Sequence, residues 1–384
     1  MNFALTEEQK QFRDAAREFA ERVIRPAVRH MEETNEFPWD IIRQMGQLGF
    51  FGIEVPEEYG GVGADALSYT LVLEEISRVS PAVGVIMSVN TSLAVGGLMQ
   101  FGTQEQKQKY IPELISGEAI GAYSLTEPQA GSDAASLLTT YRKEGDRYII
   151  NGRKIWCTNG PEAKYIILYA VEDVKNPKKT MTAFVIDTSR KGFSVGKVEE
   201  KVGLRGAHSA ELILEDYEAY PDEILGEEGK GYKIALTLLS SGRIGIASQS
   251  LGIGQGAFEL ALEHATTREQ FGKPIVDFEM IQYYISEMAT RLDAARLLTY
   301  RAAWLKQNGL PYRKESSMAK LYASETANYI TDRTIQILAS MGYSMEHDGQ
   351  RYWRDGRVTT IYEGTSEIQR LVIVREILRE MGRI

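Results

Sequence analysis

The chain has 384 residues, enough for two or three packed units around a substantial core. Its 43% hydrophobic and 25% charged content is that of an ordinary globular protein, and a formal charge of −9 with a pI near 5.3 argues against a nucleic-acid surface. One cysteine, Cys157, excludes an intrachain disulfide framework, and four scattered histidines (His30, His208, His264, His347) lack metal-ligand spacing, so no metal is expected. Residues 1–8 show no basic-then-apolar leader, and no run approaches the roughly 18 apolar residues of a membrane span, so a cytoplasmic protein is expected.

The first third reads as helix. Thr6 with Gln9 resembles a capping box, and Phe12, Ala16, Phe19 and Val23 mark one face before Pro26 is expected to interrupt it. Phe37-Pro38-Trp39 opens a second helix that ends at Gly46 or Gly49. The glycine-rich residues 56–63 lack the strand and the Gly-Lys-Ser/Thr ending of a phosphate loop, and read as a turn. Residues 66–78 and 104–116 return to helical spacing, and 85–93 between them read as core helix or the lining of an apolar pocket.

The character changes near Gly117. Asn151-Gly152 between the strand-like runs 148–150 and 153–156 predicts a type I′ hairpin. Further strands are expected at 165–171, 182–186 and 210–214, closing at the linker-like 225–231. From Tyr232 helix dominates again. Ile285, Met288, Leu292, Ala295, Ala302 and Leu305 follow a near-heptad until Asn308-Gly309-Leu310-Pro311, and another long helix runs from about Lys314 towards Met341. Gly252-Ile253-Gly254-Gln255-Gly256 has no preceding strand and reads as close helix packing. The expected class is α+β and multidomain: an all-α N-terminal domain (1–118), a β-barrel-like middle domain (119–228) and a C-terminal four-helix bundle (229–384).

Near the C-terminus, Tyr362-Glu363-Gly364-Thr365-Ser366-Glu367 combines a carboxylate with a small polar turn, and an amphipathic helix follows with Thr365 or Ser366 as its N-cap. Such a start suits an anion, and Gly364 lets a large ligand approach the backbone. On spacing alone, the commoner reading is an acidic residue in a surface cap.

Four separated stretches carry a resemblance. They are Tyr123-Ser124-Leu125-Thr126-Glu127-Pro128-Gln129-Ala130-Gly131-Ser132-Asp133, Lys154-Ile155-Trp156-Cys157-Thr158-Asn159-Gly160, Arg268-Glu269-Gln270-Phe271-Gly272-Lys273-Pro274-Ile275 and the 362–367 segment. In order and spacing they resemble the flavin-dependent acyl-CoA dehydrogenases over essentially the whole chain, with Cys157 departing from the usual Ile. The resemblance implies FAD, held by Tyr123, Leu125, Thr126 and Ser132, by Trp156, Cys157 (through its backbone) and Thr158, and by Thr365, Ser366 and Glu367. Arg268, Gln270 and Phe271, with residues 336–340 including Gln336 and Ser340, would meet the FAD of a neighbouring subunit. Ser132, Ser240, Arg243 and Gly364 would meet the CoA-bearing substrate.

The implied reaction converts a saturated acyl-CoA to its trans-2-enoyl-CoA. Glu363 is the α-proton base and flavin N5 takes the hydride, while the Glu363 N–H and a flavin ribityl hydroxyl hold the thioester oxygen. Some members carry the base just before the arginine at 243, where this chain has Gly242. Burial should raise the Glu363 pKa and the adjacent helix start should lower it, a balance that sequence leaves open. An electron-transferring flavoprotein as acceptor and a homotetramer follow from the resemblance, with no nucleic acid and no membrane. Residues 84–90 and 363–373 look most like short-chain, butyryl-CoA-type members. Ser240 stands for the usual Asp and Ala339-Ser340 for the usual Gly-Gly, so branched or cyclic short acyl groups stay open. An oxidase or monooxygenase on this scaffold, or a DNA-binding relative, are the alternatives.

Overall fold

The computed structural model describes residues 3–383; Met1, Asn2 and Ile384, which the sequence reading places in the terminal domains, lie outside the described residues. The chain opens with α1 (Glu7–Phe19), whose start is a capping box: Thr6 Oγ1 accepts the Gln9 N–H at 3.2 Å, and Gln9 Oε1 accepts the Thr6 N–H at 3.0 Å. Pro26 does not interrupt this helix, contrary to expectation. A π-helical turn (Ala20–Ile24) lets the Arg25 N–H reach back to Ala20, and Pro26 falls in the first turn of α2 (Arg25–Thr34), where a missing N–H is tolerated.

The N-terminal unit continues with α3 (Trp39–Gln47), α4 (Ala66–Val79), α5 (Pro81–Ser88), a second π-helical turn (Val89–Val95), α6 (Gly96–Phe101) and α7 (Gln104–Ser116). The continuous helix Pro81–Phe101 has a mean hydropathy of 1.6 and by length and average composition is apolar enough to cross a membrane, although Ser88, Asn90, Thr91 and Ser92 interrupt it as an apolar run. Its 18-residue apolar window is 89% buried inside the molecule, so it serves here as a core helix.

The middle unit is a seven-stranded sheet. Its strands are β1 (Gly121–Ser124), β2 (Thr140–Glu144), β3 (Arg147–Thr158), β4 (Tyr165–Val171), β5 (Met181–Asp187), β6 (Phe193–Val198) and β7 (Ser209–Ala219), with a short α8 (Pro177–Thr180) before β5. The order is β1-β4-β2-β3-β7-β6, and β5 pairs with β4. The sheet curls in barrel fashion, though among the described residues no ladder joins β5 to β6. Both faces of β4 are covered. Ile167, Tyr169 and Val171 pack with the N-terminal helices, while Ile166, Leu168 and Ala170 pack inside the sheet with Phe184 and Tyr217, so β4 reads as an unbroken apolar run.

The expected hairpin at Asn151-Gly152 is absent. β3 runs through it, because Gly152 (φ 155) occupies a shift of register against β7, where a Cβ would strike Thr139. The tight turn is at Gly145-Asp146, joining β2 to β3, with Gly145 at φ 63.

Beyond the sheet come α9 (Gly231–Thr267), a small hairpin of β8 (Glu269–Gln270) and β9 (Lys273–Pro274), then α10 (Glu279–Gln307), α11 (Arg313–Leu338), α12 (Asp348–Arg357) and α13 (Ser366–Glu380). The bundle of α9, α10, α11 and α13 is packed largely on small residues, among them Ala257, Ala261, Ala295, Ala302, Ala323 and Ala327. The glycine run on α9 does pack helices: a Cβ on Gly252 would strike the Glu74 carbonyl of α4.

Candidate active site

The segment before α13 turns on two consecutive left-handed residues, Glu363 at φ 50 and Gly364 at φ 93. A non-glycine residue there costs roughly 1–2 kcal/mol, so the surroundings have to hold it. Thr365 caps α13 by accepting the Ile368 N–H at 3.3 Å. Buried Gln369 reaches back one turn, donating to the Glu363 carbonyl at 3.2 Å and the Gly364 carbonyl at 2.9 Å. Lys320 of α11 donates to the same Gly364 carbonyl at 2.7 Å. Sequence reasoning missed both Gln369 and Lys320. The available signal was a lysine on the small-residue stripe Ser316, Ser317, Ala323, Ser324 of a buried helix.

This turn aims the Glu363 carboxyl into the molecule. The residue as a whole is only partly buried, but its Oε2 is enclosed and has no hydrogen-bond partner. It faces α9 at Gly242, where a Cβ would strike Oε2 and lie 3.1 Å from Leu93 Cδ2. The missing side chain at 242 is therefore the space that Glu363 uses. Burial pushes the Glu363 pKa up to about 7, against the pull of Lys320 and Arg243. The balance that sequence left open resolves towards burial.

Arg243 is itself buried, with Ser240 and Ser241 beside it on α9. Its Nη1 donates to Ser317 Oγ at 3.2 Å and its Nε has no partner. Burial and the nearby Arg313 lower its pKa to about 10, opposed by Glu363 and Glu376. Tyr69 of α4 and Tyr123 of β1 sense the Glu363 charge, and both hydroxyls are buried without partners. Burial keeps both phenols protonated well above the ordinary tyrosine range. Tyr362 bonds to Gln249, which donates to the Pro81 carbonyl at 2.8 Å.

A second constellation lies on the sheet. Glu127 and Lys154 form an enclosed ion pair at 2.7 Å, their side chains 2% and 0% exposed. The Glu127 carboxylate also accepts the N–H groups of Leu138 at 2.6 Å and Thr139 at 3.1 Å, and Lys154 donates to the Leu125 carbonyl at 3.3 Å. The Ile155 N–H donates to the Thr126 carbonyl at 2.9 Å, so the loop after β1 is stapled to β3. Beyond the staple, the register of β3 shifts between Lys154 and Cys157, and Trp156 at φ 58 is thrown outward with 55% exposure. Cys157 turns inward, its Sγ 3.6 Å from the Tyr123 carbonyl. Thr158 is partly buried, its hydroxyl 3.3 Å from that of Ser209. Leu125 is buried, Thr126 half-buried and Ser132 exposed. The structure thus gathers Tyr123, Leu125, Thr126, Trp156, Cys157 and Thr158 where β1 and the loop after it meet β3.

The remaining sequence candidates stand apart. Arg268, Gln270 and Phe271 are exposed at the β8–β9 turn, Phe271 at 94% and φ 52, and Gln336 and Ser340 are exposed at the end of α11. Among the described residues, no hydrogen bond or ion pair joins these five to the Glu363 group. At the first turn of α13, Glu367 is exposed and the Ser366 hydroxyl is buried without a partner. Among the described residues no group of His, Cys, Asp and Glu is placed to hold a metal.

Family models match in three consecutive pieces: the N-terminal domain of acyl-CoA dehydrogenase over residues 6–118, its middle domain over 122–217 and its C-terminal domain over 229–378. A short-chain specific acyl-CoA dehydrogenase of Clostridium acetobutylicum is 44% identical over 379 residues, covering 99% of this chain and 100% of that one. The structure of butyryl-CoA dehydrogenase from Megasphaera elsdenii superposes with a TM-score of 0.97 at 38% identity, covering 99% of this chain and 100% of that one. A chain solved in work on the electron transferring flavoprotein of Acidaminococcus fermentans gives the same TM-score of 0.97 and the same coverage, 99% and 100%, at 43% identity.

Proposed function

The chain belongs to the acyl-CoA dehydrogenase family, and on that premise we propose that it dehydrogenates a short-chain acyl-CoA at its α and β carbons, with Glu363 as the base. One observation carries the assignment: an enclosed, unpartnered carboxyl at Glu363, facing a glycine and raised to about 7. A base with a pKa near the working pH is both ionised and basic enough to take a proton from carbon.

The α-C–H bond of the thioester breaks as Glu363 accepts the proton. Charge then develops on the thioester oxygen, and the Glu363 N–H, which donates to no group among the described residues, is free to meet it. A donor of this kind contributes about 2.7–4 kcal/mol. FAD is the cofactor, and when bound it supplies acceptance of the β-hydrogen as hydride. The residues present fit it. Trp156 offers an exposed aromatic face beside Thr126 and Thr158, and Ser366 offers an unpartnered buried hydroxyl at a helix start beside Thr365 and Glu367.

The exposure of Arg268, Gln270, Phe271, Gln336 and Ser340 supports a role across a subunit boundary, towards a neighbour's FAD in a homotetramer. Ser132, Ser240, Arg243 and Gly364 are assigned to the CoA-bearing substrate, and an electron-transferring flavoprotein takes the electrons. A single buried cysteine suits the reducing cytoplasm.

The test is Glu363→Gln. The variant is expected to bind FAD as the parent does and to lose anaerobic bleaching of the flavin by butyryl-CoA by about 10²–10⁴-fold. Near-normal bleaching would overturn the assignment of the base. Fast bleaching of the parent by long-chain thioesters alone would overturn the short-chain reading.

A further inference from the structure

Lys320 has no part in the reaction as written, yet its environment is unusual for a lysine. It is 0% exposed, on a helix face shared with Ser316, Ser317, Ala323 and Ser324. A buried ammonium costs several kcal/mol unless it is paired with a carboxylate and its donors are filled. Lys320 has neither compensation. Among the described residues its one hydrogen bond is the 2.7 Å donation to the Gly364 carbonyl, and no carboxylate lies within ion-pair distance. The acidic group that acts on it most strongly is Glu363.

Resting on the assignment of Glu363 as the base, we propose that Lys320 is its positioning residue: the ammonium holds the left-handed Glu363–Gly364 turn through the Gly364 carbonyl and supplies a buried positive charge that keeps the Glu363 carboxylate available. The other groups that face Glu363 are Arg243 from α9, Tyr69 from α4, Tyr123 from β1 and its neighbour Tyr362. The tyrosines stay neutral, and Arg243 carries the second positive charge. Glu367 and Glu325 act on Lys320, while Arg313 and Glu376 act on Arg243, so charge around the base is set by two cations with their own outer partners. Burial drives Lys320 down to about 8, which brings its titration close to that of Glu363 and couples the two. Removing the ammonium leaves burial less opposed, and the base takes up its proton at higher pH.

Two variants separate the hydrogen bond from the charge. In the FAD-loaded enzyme, Lys320→Gln keeps a donor for the Gly364 carbonyl and loses the charge; Lys320→Arg keeps the charge. Lys320→Gln is expected to retain the flavin spectrum and melt near the parent. Its acid limb of kcat/KM should move up by about one unit, a tenfold loss of rate below the limb and little loss above it. Lys320→Arg should leave the limb in place. A uniform loss at every pH, or an unmoved limb in Lys320→Gln, overturns the proposal. Should Lys320→Gln fail to fold, the coupling is read from the other side. The ¹³Cε resonance of Lys320, assigned with Lys320→Arg, should titrate at lower pH in Glu363→Gln than in the parent, and an unchanged titration overturns the proposal. The two assignments fail separately. An active Glu363→Gln sinks the base itself, whereas an inactive one beside an unmoved Lys320→Gln limb sinks only Lys320.

Discussion

Two buried lysines contrast a part of this molecule that holds with the part in which we place the reaction. Burial lowers both ammonium groups to about 8, Lys154 in the sheet and Lys320 in the bundle. Their carboxylates go opposite ways. Burial raises Glu127, but Lys154 at 2.7 Å and the N–H donors of Leu138 and Thr139 outweigh it, and its pKa ends below the usual range. Glu363 has an enclosed oxygen with no donor, and burial lifts it to about 7. The same residue types make a staple when the carboxylate's hydrogen bonds are filled, and in our proposal a base when they are not.

The comparison breaks first, and most heavily, at Lys154. Lys154→Met leaves Glu127 charged and enclosed, and should cost about 3–5 kcal/mol of stability with a lower occupancy of FAD, read by thermal melting and flavin absorbance. If it melts like the parent, the pair is not a staple. Gly242→Ala should do the reverse: little change in melting, but a carboxyl displaced from its place and a fall in kcat of about 10²-fold, measured by single-turnover flavin reduction. The pH profile of the parent comes next. kcat/KM should rise about tenfold per unit below about 7 and flatten above it, because Glu363, as the proposed base, has to be ionised.

The same shift has a stability consequence of defined sign. The folded chain binds the Glu363 proton more tightly than the unfolded chain does. Stability from this group is therefore complete below the ordinary carboxylate value of 4.5 and declines through about 7, at up to about 1.4 kcal/mol per unit. Glu363→Gln should lose that slope. The smallest effect lies outside both regions. Ala339 sits at φ 54, ψ −134, glycine's territory, and Ala339→Gly should stabilise the fold by about 1 kcal/mol in denaturant titration.

Local rules were the legible part of the sequence. The Thr6–Gln9 box, the Thr365 cap and the glycine packing on α9 depend on residues within a turn or on one surface, and the structure has all three. The failures share a cause. At Asn151-Gly152 the local signal for a turn is overridden by pairing with β7, which carries β3 through the glycine as a bulge. At Pro26 a π-helical turn upstream, invisible to a 3.6-residue period, removes the conflict. The 362–367 turn was visible as a motif, but Lys320 is 43 positions before Glu363 and reaches that turn, at the Gly364 carbonyl, only through tertiary packing.

The space shared by Gly242 and Glu363 also bears on how such a site changes over time. It has room for one carboxylate, reachable from the loop before α13 or from α9. Moving the base from one element to the other takes two substitutions. Gaining the second carboxylate first overfills the space, and losing the first leaves it without the base we propose. Any route between the two positions therefore passes through a form with two crowded carboxylates or with none.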